Sequence, residues 1–151
     1  MKFKRLVASV VMGALFSGAA WAQVKIGVVS SSTGPVAMVG IPQKNSVPLM
    51  PTKVGNLTVQ YVPLDDGSDT TASVVAIKKL ISEENVDAII GPSGSPNAMG
   101  VIQFAAEAGV PLLAPVGTAA VVLPMNEQKK WVFKTTQNDQ LIADALVGHM
   151  A

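Results

Sequence analysis

Apolar residues fall along this chain in two rhythms that take turns. Val24-Lys25-Ile26-Gly27-Val28-Val29-Ser30 is β-branched and apolar at nearly every position. A strand apolar on both faces belongs inside a parallel sheet covered by helices. Residues 24–30 are therefore predicted as a first buried strand. Leu57 to Leu64, Val86 to Gly91, Val110 to Pro115 and Trp131 to Thr135 repeat the pattern. Between these runs the spacing changes. Val74, Ile77, Leu80 and Ile81 recur at helical intervals, which predicts a helix over 70–84. Asp69 or Ser68 is its N-cap and Asn85 its left-handed stop. Met99, Ile102, Phe104 and Ala105 predict a second helix over 96–108, ended by Gly109. A last helix is predicted from Gln140 onward. Pro42, Pro48 and Pro51 allow only an irregular or broken helix over 36–50, because an interior proline loses a hydrogen bond and clashes with the preceding turn. Lys53 to Asn56 is predicted as a turn.

Strand and helix alternating in this way imply an α/β fold, a doubly wound parallel sheet flanked by helices. Right-handed crossovers bring the C-terminal ends of all the parallel strands to one edge. Ligands of open α/β sheets bind at that edge. The turns there are 30–35, 65–69, 91–97, 115–120 and 135–139, rich in Ser, Thr, Gly and Asp.

One of these turns organises the rest. Ile89-Ile90-Gly91-Pro92-Ser93-Gly94-Ser95-Pro96-Asn97 is a buried strand, a tight turn and a helix start. Ser95 before Pro96 is a favoured N-cap arrangement. Its hydroxyl can accept from its own helix and still donate its proton to a carboxylate. Val116-Gly117-Thr118 leaves the next strand in the same manner. There the Thr118 N–H and hydroxyl can take a carboxylate oxygen, and the Val116 carbonyl can accept from an ammonium. Ser95, Val116, Gly117 and Thr118 are the candidate ligand-binding residues.

Other patterns carry less. Asp65-Asp66 is predicted to be loop solvation and capping, since adjacent side chains in an extended segment point apart. His149 is the one histidine and stands near the end of the last helix, where the dipole favours its positive form. Gly91-x-x-Gly94 lacks the third glycine of a dinucleotide fingerprint, and no Walker lysine follows. Gly94-Ser95-Pro96-Asn97-Ala98 is not the Gly-x-Ser-x-Gly elbow of a serine hydrolase. No catalytic residue, metal ligand or cofactor follows from these residues, so an enzyme, including a secreted α/β hydrolase, is disfavoured.

The first 22 residues change the charge balance. Met1-Lys2-Phe3-Lys4-Arg5 precedes an apolar run from Leu6 to Gly18, and Ala20-Trp21-Ala22 suits cleavage before Gln23. This is the layout of a secretory signal peptide, with a run shorter than the ~20 residues of a spanning helix. The chain has 11 Lys+Arg and 10 Asp+Glu, and Lys2, Lys4 and Arg5 leave with the signal. Residues 23–151 are then slightly acidic, without the basic stripe that nucleic acid requires. Cysteine is absent. An exported domain of this kind relies on its core and not on disulfides.

Lys25-Ile26-Gly27-Val28, Ser32-Thr33-Gly34-Pro35 and Leu64-Asp65-Asp66-Gly67-Ser68-Asp69 resemble the start of a bacterial extracellular solute-binding protein. Val86 to Ser93, Glu107 to Leu112 and Trp131 to Thr135 resemble it further along. The family is the leucine/isoleucine/valine-binding type of the branched-chain amino-acid ABC importers. The resemblance implies a type I periplasmic-binding-protein fold, two α/β lobes closing on a ligand, of which residues 23–151 match most of the first. It implies a periplasmic location, a small-molecule ligand such as an amino acid, and an ABC permease in the inner membrane as partner. It also implies that Ser95, Val116 and Thr118 hold the ligand's carboxylate and amine. Where the family often has an aromatic residue, this chain has Val39. Family members are more than twice as long, so the second lobe is not expected within these 151 residues, and the chain alone is expected to bind weakly. A ligand-sensing domain of similar fold is the alternative.

Overall fold

The computed structural model describes residues 23–150; the predicted signal peptide, residues 1–22, lies outside the described residues. β-Branched residues suit a pleated, packed strand. β1 (Gln23–Ser30) accordingly becomes more buried toward its C-terminal end, where Gly27 to Ser30 are all inside. α1 (Ala37–Ser46) follows and carries Pro42 in its interior, then gives way to a 3₁₀ turn at Val47–Leu49. This is the interrupted helix that the prolines predict.

β2 (Lys53–Val54) departs from prediction. The segment expected to be only a turn is a short edge strand, antiparallel to β3 (Leu57–Asp65) through Lys53↔Thr58 and Val54↔Leu57. The sheet is therefore mixed at one edge. α2 (Thr70–Ser82) is capped by Asp69, whose carboxylate accepts from Ala72 N–H at 2.7 Å. Asn85 beyond it has φ 51°, the predicted left-handed stop. β4 (Ala88–Ile90), α3 (Ser95–Ala108) and β5 (Leu112–Ala114) follow, with Gly109 closing α3 at φ 66°. β6 (Val132–Lys134) and α4 (Asp139–Met150) complete the described chain.

The strand order is β2-β3-β1-β4-β5-β6, and β3, β1, β4, β5 and β6 run parallel to one another, β2 alone being antiparallel. The chain leaves β1 toward one edge and leaves β4 toward the other. Right-handed crossovers then put α1 on one face of the sheet and α2 with α3 on the opposite face. α2 and α3 pack against each other there. Between them and the sheet lies the core: Val29, Ile77, Leu80, Ile89, Val101, Ala105 and Leu112 are almost wholly buried. The reversal of direction falls between β1 and β4, a topological switch point where open α/β sheets form a ligand crevice.

Candidate functional site

The switch point is stitched together by polar contacts. Ser93 leaves β4, and its hydroxyl accepts from Ser31 N–H of the β1 exit turn at 3.0 Å. The same hydroxyl donates to Gln43 Oε1 of α1 at 2.5 Å. Gly91, with φ 109°, makes this close approach possible, because any side chain there would strike the Val29 carbonyl. Asp65, at the end of β3, ties in the third turn. It accepts from Ser32 N–H at 3.0 Å, Gly67 N–H at 3.0 Å and the Thr33 hydroxyl at 2.9 Å. Burial pushes the Asp65 carboxyl up, but donors from Gly67, Thr33 and Ser32 outweigh it and hold the pKa down at about 2.

Asp66 corrects the expectation of a solvated loop. It is 1% exposed. Its carboxylate accepts from the Ser73 hydroxyl at 2.7 Å, Asn97 Nδ2 at 3.1 Å and Ser68 N–H at 3.0 Å. Asn97 Nδ2 also donates to the Ser73 hydroxyl at 2.7 Å. A buried charge is tolerated only when its lone pairs are filled in this way. The cluster fastens the start of α3, and hence the turn bearing Ser95, to the start of α2. The adjacent side chains do point apart: Asp65 serves the exposed edge and Asp66 the interior.

Ser95 is shifted by one position from its predicted role. Gly94 is the N-cap, in extended backbone, and Ser95 is the first residue of α3. Ser95 is only partly buried, and its hydroxyl and N–H find no partner among the described residues. Both point donors from a helix N-terminus, an arrangement suited to a carboxylate. β4 and β5 are paired through Ile89↔Leu112 and Ile90↔Leu113, so the turn at 116–118 lies beside the turn of Ser95. Thr118 caps the short 3₁₀ turn Ala119–Val121, its hydroxyl accepting from Ala120 N–H at 3.2 Å. The hydroxyl proton and the Thr118 N–H have no partner among the described residues. The Val116 carbonyl accepts from the Thr136 hydroxyl at 2.6 Å, which leaves its second lone pair. The Gly117 carbonyl accepts from Asp139 N–H at 3.2 Å.

Residues 23–151 match the family described as periplasmic binding protein. The chain belongs to that family. A Leu/Ile/Val-binding protein, BraC3 of Rhizobium johnstonii, is 30% identical over 125 residues, 79% of this chain and 34% of that protein. An extracellular ligand-binding receptor of Rhodopseudomonas palustris HaA2 superposes with a TM-score of 0.83 at 41% identity, covering 85% of this chain and 36% of that one. An ABC-transporter solute-binding protein of R. palustris, solved in complex with 4-hydroxybenzoate, has a TM-score of 0.71 at 27% identity, with 85% of this chain and 36% of that one covered. This periplasmic binding protein sequence thus spans about a third of the length of its relatives, and its mixed α/β sheet is that of the type I fold.

Among the described residues no group of three or more acidic or histidine side chains can hold a metal ion, and no helix is long and apolar enough to cross a membrane. His149 sits in the last turn of α4, far along the sequence from the switch point. Ser93, Gln43, Asp66, Ser73, Asn97, Thr136 and Asp139 shape the site but were absent from the sequence-based candidates. Each acts through a partner distant in sequence, so no local motif marks it.

Proposed function

We propose that this chain is the ligand-capturing first lobe of an extracytoplasmic solute-binding component of an ABC importer, taking amino acids or related small carboxylates. It binds its solute and does not transform it. The observation that carries this reading is the pair of exit turns on neighbouring strands β4 and β5. Among the described residues Ser95 offers an unpaired hydroxyl and N–H, and Thr118 an unpaired N–H with a hydroxyl proton to give. Four donors on neighbouring exit turns beside a switch point suit one carboxylate. Family membership supports the transport role. The named solutes of two relatives, Leu/Ile/Val and 4-hydroxybenzoate, share only a carboxylate. Delivery would be to a permease in the inner membrane, from the periplasm that the predicted signal peptide indicates.

The donors face an open edge, so a ligand held by this lobe alone keeps much of its surface in water. Affinity then falls well short of what an enclosed pocket gives. Calorimetry on the chain tests this. Millimolar binding of leucine or benzoate that Ser95→Ala weakens further is the expected result. Micromolar leucine affinity would show that one lobe suffices, and binding indifferent to Ser95→Ala would remove the site.

A further inference from the structure

We propose that the space beneath α1, between Ser30 of β1 and the end of β3, is a second binding site, and that it takes a small neutral polyol of glycerol or pentose size.

Strand alternation puts Val28 and Ser30 on the α1 face of the sheet, while Val29 joins the core under α2 and α3. The parallel register sets Pro63 beside Val28 and Asp65 beside Ser30 on that same face. α1 roofs it thinly. Gly40 is the buried residue of α1, and a side chain there would strike the Ser31 carbonyl, so helix and sheet touch at this point. Beyond Pro42 the helix lasts one more turn. Two spaces open under that stretch, and Ser30 lines both. One, of about 80 Å³, is bounded by Gln43, Met50, Ile90 and Pro115. The other, of about 240 Å³, is lined by Ser30, Ser32, Lys44, Pro63, Leu64 and Asp65. One liquid water takes ~30 Å³, so the larger space has room for a small organic molecule.

Its polar groups lack partners. Ser30 is 2% exposed and Ser32 8%, yet neither hydroxyl makes a hydrogen bond among the described residues. Buried hydroxyls are normally bonded. Lys44 makes no ion pair among the described residues, although Asp65 lines the same space. Asp65 Oδ1 accepts from the N–H groups of Ser32, Thr33 and Gly67. Oδ2 accepts from the Thr33 hydroxyl at 2.9 Å and keeps room for another donor. The occupant must accept from Lys44, bond two hydroxyls and donate to Asp65. A carboxylate or phosphate would meet the charge of Asp65, and an ammonium that of Lys44. A polyol meets neither, and each of its hydroxyls both donates and accepts. Pro63 and Leu64 give its carbon skeleton an apolar wall. This site shares no residue with the β4 and β5 exit turns.

The test is amide NMR of the purified chain titrated with ribose, with glycerol, and with acetate as the anionic control. Both polyols should shift Ser30, Ser32 and Leu64 saturably and leave Ser95 and Thr118 in place, and acetate should not shift the first three. Lys44→Met keeps the stem and removes the ammonium, and should weaken ribose by about tenfold. Ser30→Ala deletes a hydroxyl that bonds nothing in the chain, so it should leave urea unfolding unchanged while weakening ribose by about threefold. Lys53→Met, away from the cavity, should alter nothing. The absence of saturable shifts at Ser30, Ser32 and Leu64 with either polyol overturns the proposal. So does ribose binding that Lys44→Met and Ser30→Ala both leave unchanged. Acetate shifting those amides where ribose does not would mark an anion site and overturn it as well.

Discussion

The two turns of the proposed site stand on regions of very different construction. From β1 to α3, each exit turn is fastened to another: Ser31 to Ser93, Ser32 to Asp65, Asp66 to Asn97. The helices on that side bury Ile77, Leu80, Val101 and Ala105 completely. Beyond β5 the support thins. Val121 and Val132 are the last buried apolar residues, and α4 buries none. Leu141, Leu146 and Val147 are 62%, 58% and 65% exposed. Ser95 thus sits on a wired platform, while Gly117 and Thr118 are held by Thr136 and Asp139 from a segment with little packing of its own. Capture of a ligand bridging both turns would order the weaker side, where local opening costs least.

Core truncation should separate the regions most. Leu80→Ala, at a fully buried position packed over Gly27, should cost about 3 kcal/mol in urea unfolding. Leu146→Ala on α4 should stay within about 0.5 kcal/mol. Equal losses would mean that α4 is as firmly packed as α2. Next comes the buried polar cluster. Asp66→Ala removes the carboxylate that Ser68, Ser73 and Asn97 share and should cost roughly 2 kcal/mol, lowering hydrogen-exchange protection at the start of α3. Thr136→Val releases the Val116 carbonyl and a long contact from Lys134 Nζ at 3.5 Å, for about 1 kcal/mol, and should loosen amides at 116–118 while those at 93–98 stay protected.

The smallest effect is a pH dependence at the wired edge. The Asp65 carboxyl titrates at about 2 in the folded chain, below its ordinary 3.8. A lowered folded pKa adds stability that is fully present above the ordinary value and lost as pH falls through about 2. Asp65 is exposed, so solvent screens the gain. Acid unfolding followed by circular dichroism should show Asp65→Asn flattening the decline between these two values, with little change near neutrality.

Much of this fold is legible in the sequence because it rests on periodicity. The β-branched run at 24–30 and the helical spacing of Val74, Ile77 and Leu80 point to opposite layers of one core. β2 is not legible: Lys53-Val54 is too short to show alternation and exists only by pairing with β3. The burial of Asp66 is hidden for a similar reason, since Ser73 and Asn97 supply its donors from two later helices. The cap at Ser95 is misplaced by one residue because Gly94 takes the extended backbone of that position, φ −93° and ψ 140°. For the site itself, Ser95 and Thr118 are readable as hydroxyls at strand exits. The engagement of the Val116 carbonyl by Thr136 and the approach of Asp139 to Gly117 depend on contacts made across β6.

The central claim is that one carboxylate is held jointly by the turns after β4 and β5. The most direct measurement is amide hydrogen exchange of the chain with and without millimolar leucine. Protection should rise at Ser95 and more strongly at Gly117 and Thr118, the less supported side, and Ser95→Ala should abolish both gains. Protection confined to another surface, such as the groove between β3 and α2 lined by Leu64, Val75 and Lys79, or gains that persist in Ser95→Ala, would contradict it.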